Sequence, residues 1–180
     1  MKNIYDMTIE QLEDYFLGIG EKKFKALQLY SWLYEKRINS FDEITDIKKV
    51  VVDKLKEDFT LDKLKVLKVE RDELVNKYLF ELHDGALVES VLMRHDYGTS
   101  ICVSSQVGCN MGCKFCESGR LKKIRNLETH EMIEQILLVE EEWGVEAEAG
   151  LDLLVLEVAV DGLGAADHLH AVFLCGVVFG

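Results

Sequence analysis

Gly108-Cys-Asn-Met-Gly-Cys-Lys-Phe-Cys116 is the stretch on which the reading of this chain turns. It sets Cys109, Cys113 and Cys116 at C-x3-C-x2-C spacing, with the aromatic Phe115 just before the last thiol. Three thiolates this close hold one metal centre but do not fill four ligand positions from the same loop. Thiolate is the natural protein ligand of an iron–sulfur cluster. A cubane held by three cysteines keeps one iron open for a small molecule. The rival on residue chemistry alone is structural zinc, for which Cys102 with Cys109, Cys113 and Cys116 would supply a tetrahedral set.

Working outward, Ser100–Ser104 is a short β-prone run, the cysteine loop covers 105–120, and Glu128–Glu142 reads as a helix capped by Thr129. Ile133, Ile136 and Leu137 mark one face of that helix. The cysteines therefore sit between a strand and a helix, where a β/α barrel places its chemistry. Arg120, Lys122, Lys123 and Arg125 form the dense basic cluster of the chain, readable as a solvated loop or as a contact for RNA phosphates. Upstream, Leu64–Val69, Lys77–Leu82 and Ala86–Met93 are β-prone, with turns at Asp72-Glu73 and His83-Asp84-Gly85. His95, His130, His168 and His170 show no ligand spacing to the cysteine loop and read as surface or packing residues.

The first 60 or so residues read as helices. Thr8 with Gln11 is a capping-box start and Gly18-Ile-Gly20 a stop. A second helix is expected over 22–37, with Leu29, Trp32 and Leu33 in the core. Ser40 with Glu43 is another capping box, after which Ile47, Val51 and Leu55 line a third helix.

The chain has 180 residues, 48% of them hydrophobic, and a net charge of −12. No apolar run reaches the ~18 residues of a membrane span, and Asp6, Glu10, Glu13 and Asp14 interrupt any signal-peptide pattern. A cytoplasmic protein is expected, in which five cysteines favour metal or redox chemistry over disulfides. The acidity argues weakly against the whole chain being a nucleic-acid-binding surface and leaves room for a local basic site. All 21 Lys and Arg precede residue 144; residues 144–180 hold six acids and no base, and also lack Ser, Thr, Asn, Gln and Ile. Ordinary globular sequence uses Ser and Lys freely, so 144–180 reads as an anomalous tail, out of frame or fused, in which Leu153–Val160 has the local pattern of a strand.

Taken together, Cys102-Val-Ser-Ser-Gln-Val-Gly-Cys109, then Cys113, Lys114, Phe115 and Cys116, then Arg125-Asn-Leu127, resemble the radical S-adenosylmethionine (SAM) adenine-C2 methyltransferases of 23S rRNA and tRNA, the RlmN/Cfr type. Leu29-Tyr-Ser-Trp-Leu-Tyr34, Phe41-Asp-Glu-Ile-Thr45, Lys77-Tyr-Leu-Phe-Glu81 and Val88-Glu-Ser-Val91 are similar to the RlmN-like members, so that the resemblance covers roughly residues 4–142. It implies an α/β fold: a helical accessory domain at 1–60, a β-rich connecting segment at 61–98, and at 99–143 the start of a radical-SAM partial (β/α) barrel, truncated, with the cluster loop.

The resemblance implies further that Cys109, Cys113 and Cys116 bind a [4Fe–4S] cluster whose open iron chelates SAM. One electron, from a flavodoxin-type donor, then cleaves SAM to a 5′-deoxyadenosyl radical. In the family a late cysteine, methylated by a second SAM, carries the new carbon to adenine. Glu89 aligns with the family's proton acceptor and Cys102 with its resolving thiol. A positioned carboxylate suits the first role and a thiolate the second. The implied partners are 23S rRNA and tRNA, with the enzyme a monomer and no membrane involved.

Two departures stand out. Glu117-Ser-Gly119 replaces the usual Ala-Thr-Gly after the third cysteine, which puts a charge near the site. The family's Gly-Met-Gly-Glu-Pro strand end and late Ala-Cys-Gly-Gln-Leu have no counterpart, and Cys175-Gly176 shares only a dipeptide with the latter. The expectation is therefore an incomplete chain, inactive alone as a methylase. The alternative is a non-catalytic four-cysteine zinc or iron–sulfur module.

Overall fold

The structure, a computed structural model, describes residues 1–96, 98–109, 121–146 and 154–158, with side chains through residue 142. The chain divides into two compact units, Met1–Lys63 and Leu64–Gly180. Among the described residues no helix is long and apolar enough to cross a membrane.

The first unit holds three helices, α1 (Ile9–Gly18), α2 (Phe24–Tyr34) and α3 (Lys49–Asp58), and a parallel pair of two-residue strands, β1 (Lys2–Asn3) and β2 (Phe59–Thr60). The Thr8–Gln11 capping box opens α1 as expected, and Gly20, at φ +80°, follows its end. Ser40 and Glu43 also form a capping box, but it closes a single 3-10 turn at Phe41–Glu43. The third helix starts only at Lys49, so Ile47 lies before it, though still buried. The expected second helix is shortened at both ends; Arg37 adopts φ +53°, outside helical backbone. Leu12, Phe16, Ala26, Leu29, Leu33 and Leu55 pack the interior of this unit. Trp32 was expected among them and instead is half-buried, its indole N–H donating to Asp46 Oδ1 at 2.6 Å and Lys36 Nζ lying 3.3 Å from its ring centre. A polar N–H that finds its acceptor at the rim keeps the ring there.

The second unit is built on β3 (Lys65–Arg71), β4 (Val75–Glu81), β5 (Leu87–His95) and β6 (Gly98–Val103), an antiparallel run in sequence order. Two short strands, β7 (Gln106–Val107) and β8 (Arg125–Asn126), pair separately. The helix α4 (Thr129–Glu146) follows, and then β9 (Leu154–Val158), which lies parallel to β6 at the far edge of the main sheet. The segment β6–α4–β9 is thus a parallel strand–helix–strand crossover grafted on an antiparallel sheet.

Alternation of apolar residues sets which face of the sheet is covered. Tyr78 and Phe80 of β4, Val88 and Leu92 of β5, and Ile101 and Val103 of β6 form one core with Met132, Ile136 and Val139 of α4. The neighbouring residues, Glu89, Val91 and Cys102 among them, fall on the more open face. Thr129 was expected to cap α4 and is instead its first residue. The backbone N–H of Glu128 is satisfied by Glu131 Oε2 at 2.8 Å.

Candidate cluster loop and catalytic face

The cysteine loop leaves the sheet through a closed neck. Strands β7 and β8 pair in antiparallel register, Gln106 with Asn126 and Val107 with Arg125. Beyond them Ile124 N–H donates to Val107 O at 2.8 Å and Cys109 N–H to Leu121 O at 3.0 Å. Gly108 has φ +73°, and a β-carbon there would lie 2.2 Å from the Lys122 carbonyl oxygen. Only glycine fits both the backbone conformation and that close approach. Cys109, at the inner edge of the loop, is half-buried. Cys113, Cys116, Phe115, Arg120, the Glu117-Ser-Gly119 departure and Cys175 lie outside the described residues.

Glu89 and Cys102 come together through strand register. Cys102 pairs with Val91 across β5 and β6, and antiparallel partners project to the same face. Glu89, two residues from Val91, shares that face. Lys77 of β4 pairs with Val91 from the other side, so Lys77, Val91 and Cys102 form a row across three strands. Lys77 Nζ lies 2.8 Å from Glu89 Oε1, with both side chains nearly half exposed. The hydrogen bond to Glu89 raises the Lys77 pKa and keeps the ammonium charged, despite an opposing contribution from burial.

Behind this face Gln135, fully buried on α4, ties the strand ends together. Its Oε1 accepts from Ser90 Oγ at 2.8 Å and from Ser104 N–H at 2.9 Å. Its Nε2 donates to Ser104 O at 3.1 Å and to Glu131 O at 2.9 Å. Ser104 Oγ in turn donates to Glu89 O at 2.7 Å. Gln135 thereby fixes the backbone that carries both Glu89 and Cys102. Neither Lys77, read only as part of a strand, nor Gln135 was a site candidate from the sequence. A polar residue one turn from both Met132 and Val139, on an apolar helix face, was the signal for Gln135.

The basic cluster changes character. Arg125 Nη1 and Nη2 bond both oxygens of Glu131, at 2.7 and 2.8 Å, and Nε bonds Asp84 Oδ2 at 2.8 Å. Its guanidinium is a fixed tie between the β4–β5 turn and α4, because a planar fork matches a carboxylate bidentately. Lys122 and Lys123 are left at the outer side of the neck, Lys122 exposed and Lys123 partly so.

Residues 2–61 match the ribosomal RNA large subunit methyltransferase N-terminal domain. The chain is 49% identical over 164 residues to a probable dual-specificity RNA methyltransferase RlmN of Enterococcus faecalis, covering 91% of this chain and 45% of the relative. It is 45% identical over 164 residues to a putative enzyme of the same name from Streptococcus pneumoniae, covering 90% of this chain and 44% of the relative. The chain thus spans less than half the length of these relatives, and the Enterococcus alignment extends past residue 143 into the stretch of distinct composition. A crystal structure of a radical SAM methyltransferase from Sphaerobacter thermophilus superposes with a TM-score of 0.75 at 27% identity, over 96% of this chain and 50% of that one. By sequence the chain is similar to the N-terminal part of enzymes named RlmN, and by fold to part of a radical SAM methyltransferase.

Proposed function

We propose that this chain supplies the cluster loop, the proton acceptor and the resolving thiol of a radical SAM enzyme that methylates adenine C2 in 23S rRNA and tRNA. The observation that carries the reading is the three-cysteine loop drawn shut at its neck beside strands that set Glu89 and Cys102 on one face. The donor set fits the group: thiolates at C-x3-C-x2-C, opening from a neck only glycine can form, suit a [4Fe–4S] cluster held by Cys109, Cys113 and Cys116. When bound, the cluster supplies the electron that cleaves SAM to a carbon radical.

Glu89, paired with Lys77, takes the proton that leaves C2. Cys102 resolves the sulfur-linked adduct: its thiolate attacks the adduct's sulfur and forms an S–S bond as the C–S bond breaks, the electron pair staying on the product carbon, which takes up a proton to become the methyl group. Gln135 keeps the strands of these two residues in register. Lys122 and Lys123 meet RNA phosphates at the side of the loop, contacts that position without reading sequence. A flavodoxin-type electron donor, a monomeric state and a cytoplasmic location belong to the same reading.

Joining residues 1–142 of this chain to the C-terminal part of the Enterococcus faecalis relative tests it. The chimera is expected to form C2-methyladenine in RNA, seen by mass spectrometry. Cys102→Ala should trap a protein–RNA adduct, and the 180 residues alone should make no product. Clean turnover by the Cys102→Ala chimera would remove the resolving role, and a colourless chain whose zinc is lost on changing Cys102 or Cys109 would favour the four-cysteine module.

A further inference from the structure

A second cluster of metal-binding side chains lies in the same unit, apart from the three cysteines. His83 comes from the β4–β5 turn, and His130 and Glu134 are one helical turn apart on α4. One ligand atom from each lies within 4.8 Å of the other two. The imidazole rings are 5.9 Å apart, tilted by 33°. Neither the three-cysteine loop nor the pair Glu89 and Cys102 uses any of them. We infer that His83, His130 and Glu134 form a zinc-class divalent cation site that staples the β4–β5 turn to the first turns of α4.

The donor chemistry fits. Two imidazoles and one carboxylate are a borderline-soft set that suits Zn²⁺, with a fourth tetrahedral position left to water. His83 is exposed, so solvent reaches the site, whereas Glu134 is buried. Glu134 Oε2 accepts the Leu64 N–H at 2.7 Å, and a carboxylate has about four lone-pair sites, so capacity for a metal remains. Ligand atoms of a tetrahedral zinc stand about 3.4 Å apart, from Zn–N and Zn–O lengths near 2.0–2.1 Å. Closing from 4.8 Å takes side-chain rotation of about an ångström, chiefly by the exposed His83.

The surroundings hold the three donors in place. Gly85, at φ +80°, turns the chain, its N–H donating to Leu82 O at 2.9 Å, and Asp84 Oδ1 accepts Ala86 N–H at 3.1 Å. Asp84 is anchored through Arg125 to Glu131, the neighbour of His130. The turn bearing His83 is therefore tied to the helix bearing His130 and Glu134 whether or not a metal is bound. Three carboxylates, Asp84, Glu131 and Glu134, stand against the one guanidinium of Arg125, a local balance that favours a dication.

Co²⁺ is the probe, because thiolate ligation gives an intense charge-transfer band that a nitrogen–oxygen set does not. The full chain is titrated as it stands and with Cys102, Cys109, Cys113 and Cys116 changed to Ser. Expected is one Co²⁺ bound by the Ser variant without the thiolate band, displaced by Zn²⁺, and weakened at least about tenfold by His130→Ala. Glu134→Gln, which keeps an oxygen for Leu64 N–H and so preserves the fold, should weaken it similarly. In the unaltered chain His130→Ala should remove only the band-free component. Binding indifferent to both substitutions, or no Co²⁺ bound outside the thiolate component, would overturn the site.

Discussion

Glu89 and Cys102 share one face of the sheet on adjacent antiparallel strands, one pleat repeat out of direct register, because Cys102 pairs with Val91. Diagonal neighbours of this kind have Cα atoms about 7–8 Å apart. A carboxylate and a thiol at that separation can both serve one substrate atom set between them. Thirteen residues of sequence are thereby folded into one small patch by the antiparallel pairing of β5 and β6.

Glu89→Gln separates chemistry from stability. The Lys77–Glu89 pair is nearly half exposed, so its loss should change the unfolding free energy by less than about 1 kcal/mol. In the methylating chimera the same change should lower turnover by roughly 10²–10⁴-fold, as expected for a lost general base. Urea unfolding and a product assay on one preparation check both halves. A large stability loss with turnover intact would reverse the assignment.

Gly108→Ala should open the neck. The new methyl would meet the Lys122 carbonyl at 2.2 Å, on a residue held at φ +73°. Strain of this kind costs on the order of 1–3 kcal/mol. Iron and sulfide content after anaerobic reconstitution should fall, while the α1–α3 unit keeps its helical circular dichroism. Full cluster occupancy would show that the neck does not set the loop.

Gln135→Leu should loosen the face of Glu89 and Cys102 from behind. It leaves Ser104 N–H and Ser90 Oγ without the acceptor they share, at about 1–3 kcal/mol for each buried group. Hydrogen exchange at the Ser104 amide should speed up by at least about tenfold. Unchanged protection there would mean that the strand ends are held by other contacts.

Much of this was legible in the sequence because it is local. The Thr8–Gln11 box, the glycine stop after α1, the four strands from Lys65 to Val103 and the hairpin turns all rest on residues a few positions apart. The errors come from partners distant in sequence. Ser40 and Glu43 formed their box, but nothing local told a 3-10 turn from a helix. Arg125 looked like a solvated base until Asp84, forty-one residues earlier, was brought against it. His130, read as a surface or packing residue without ligand spacing to the cysteine loop, stands beside His83, which comes from another element. The three cysteines were legible as a metal-binding motif for the same local reason, their spacing together with the residues that flank them.

Acid titration of the α1–α3 unit should show Asp58. Hydrogen bonds from Tyr15, at 2.9 Å, and from Lys54 hold its pKa below the ordinary value. A carboxyl lowered in the folded state favours the fold above its unfolded pKa, about 3.9 for Asp in model peptides. That contribution is lost as pH falls through the lower, folded value. Tyr15→Phe should move the Asp58 carboxyl titration, followed by NMR, upward toward the ordinary range. No movement would show that Lys54 alone sets it.

The most direct measurement is iron, sulfide and zinc analysis of the anaerobically reconstituted chain beside Cys102→Ala and Cys109→Ala. If Cys109, Cys113 and Cys116 hold the cluster, the chain and Cys102→Ala both carry about four irons and about four sulfides, and Cys109→Ala carries almost none. A single zinc, lost equally on changing Cys102 or Cys109, would contradict the account.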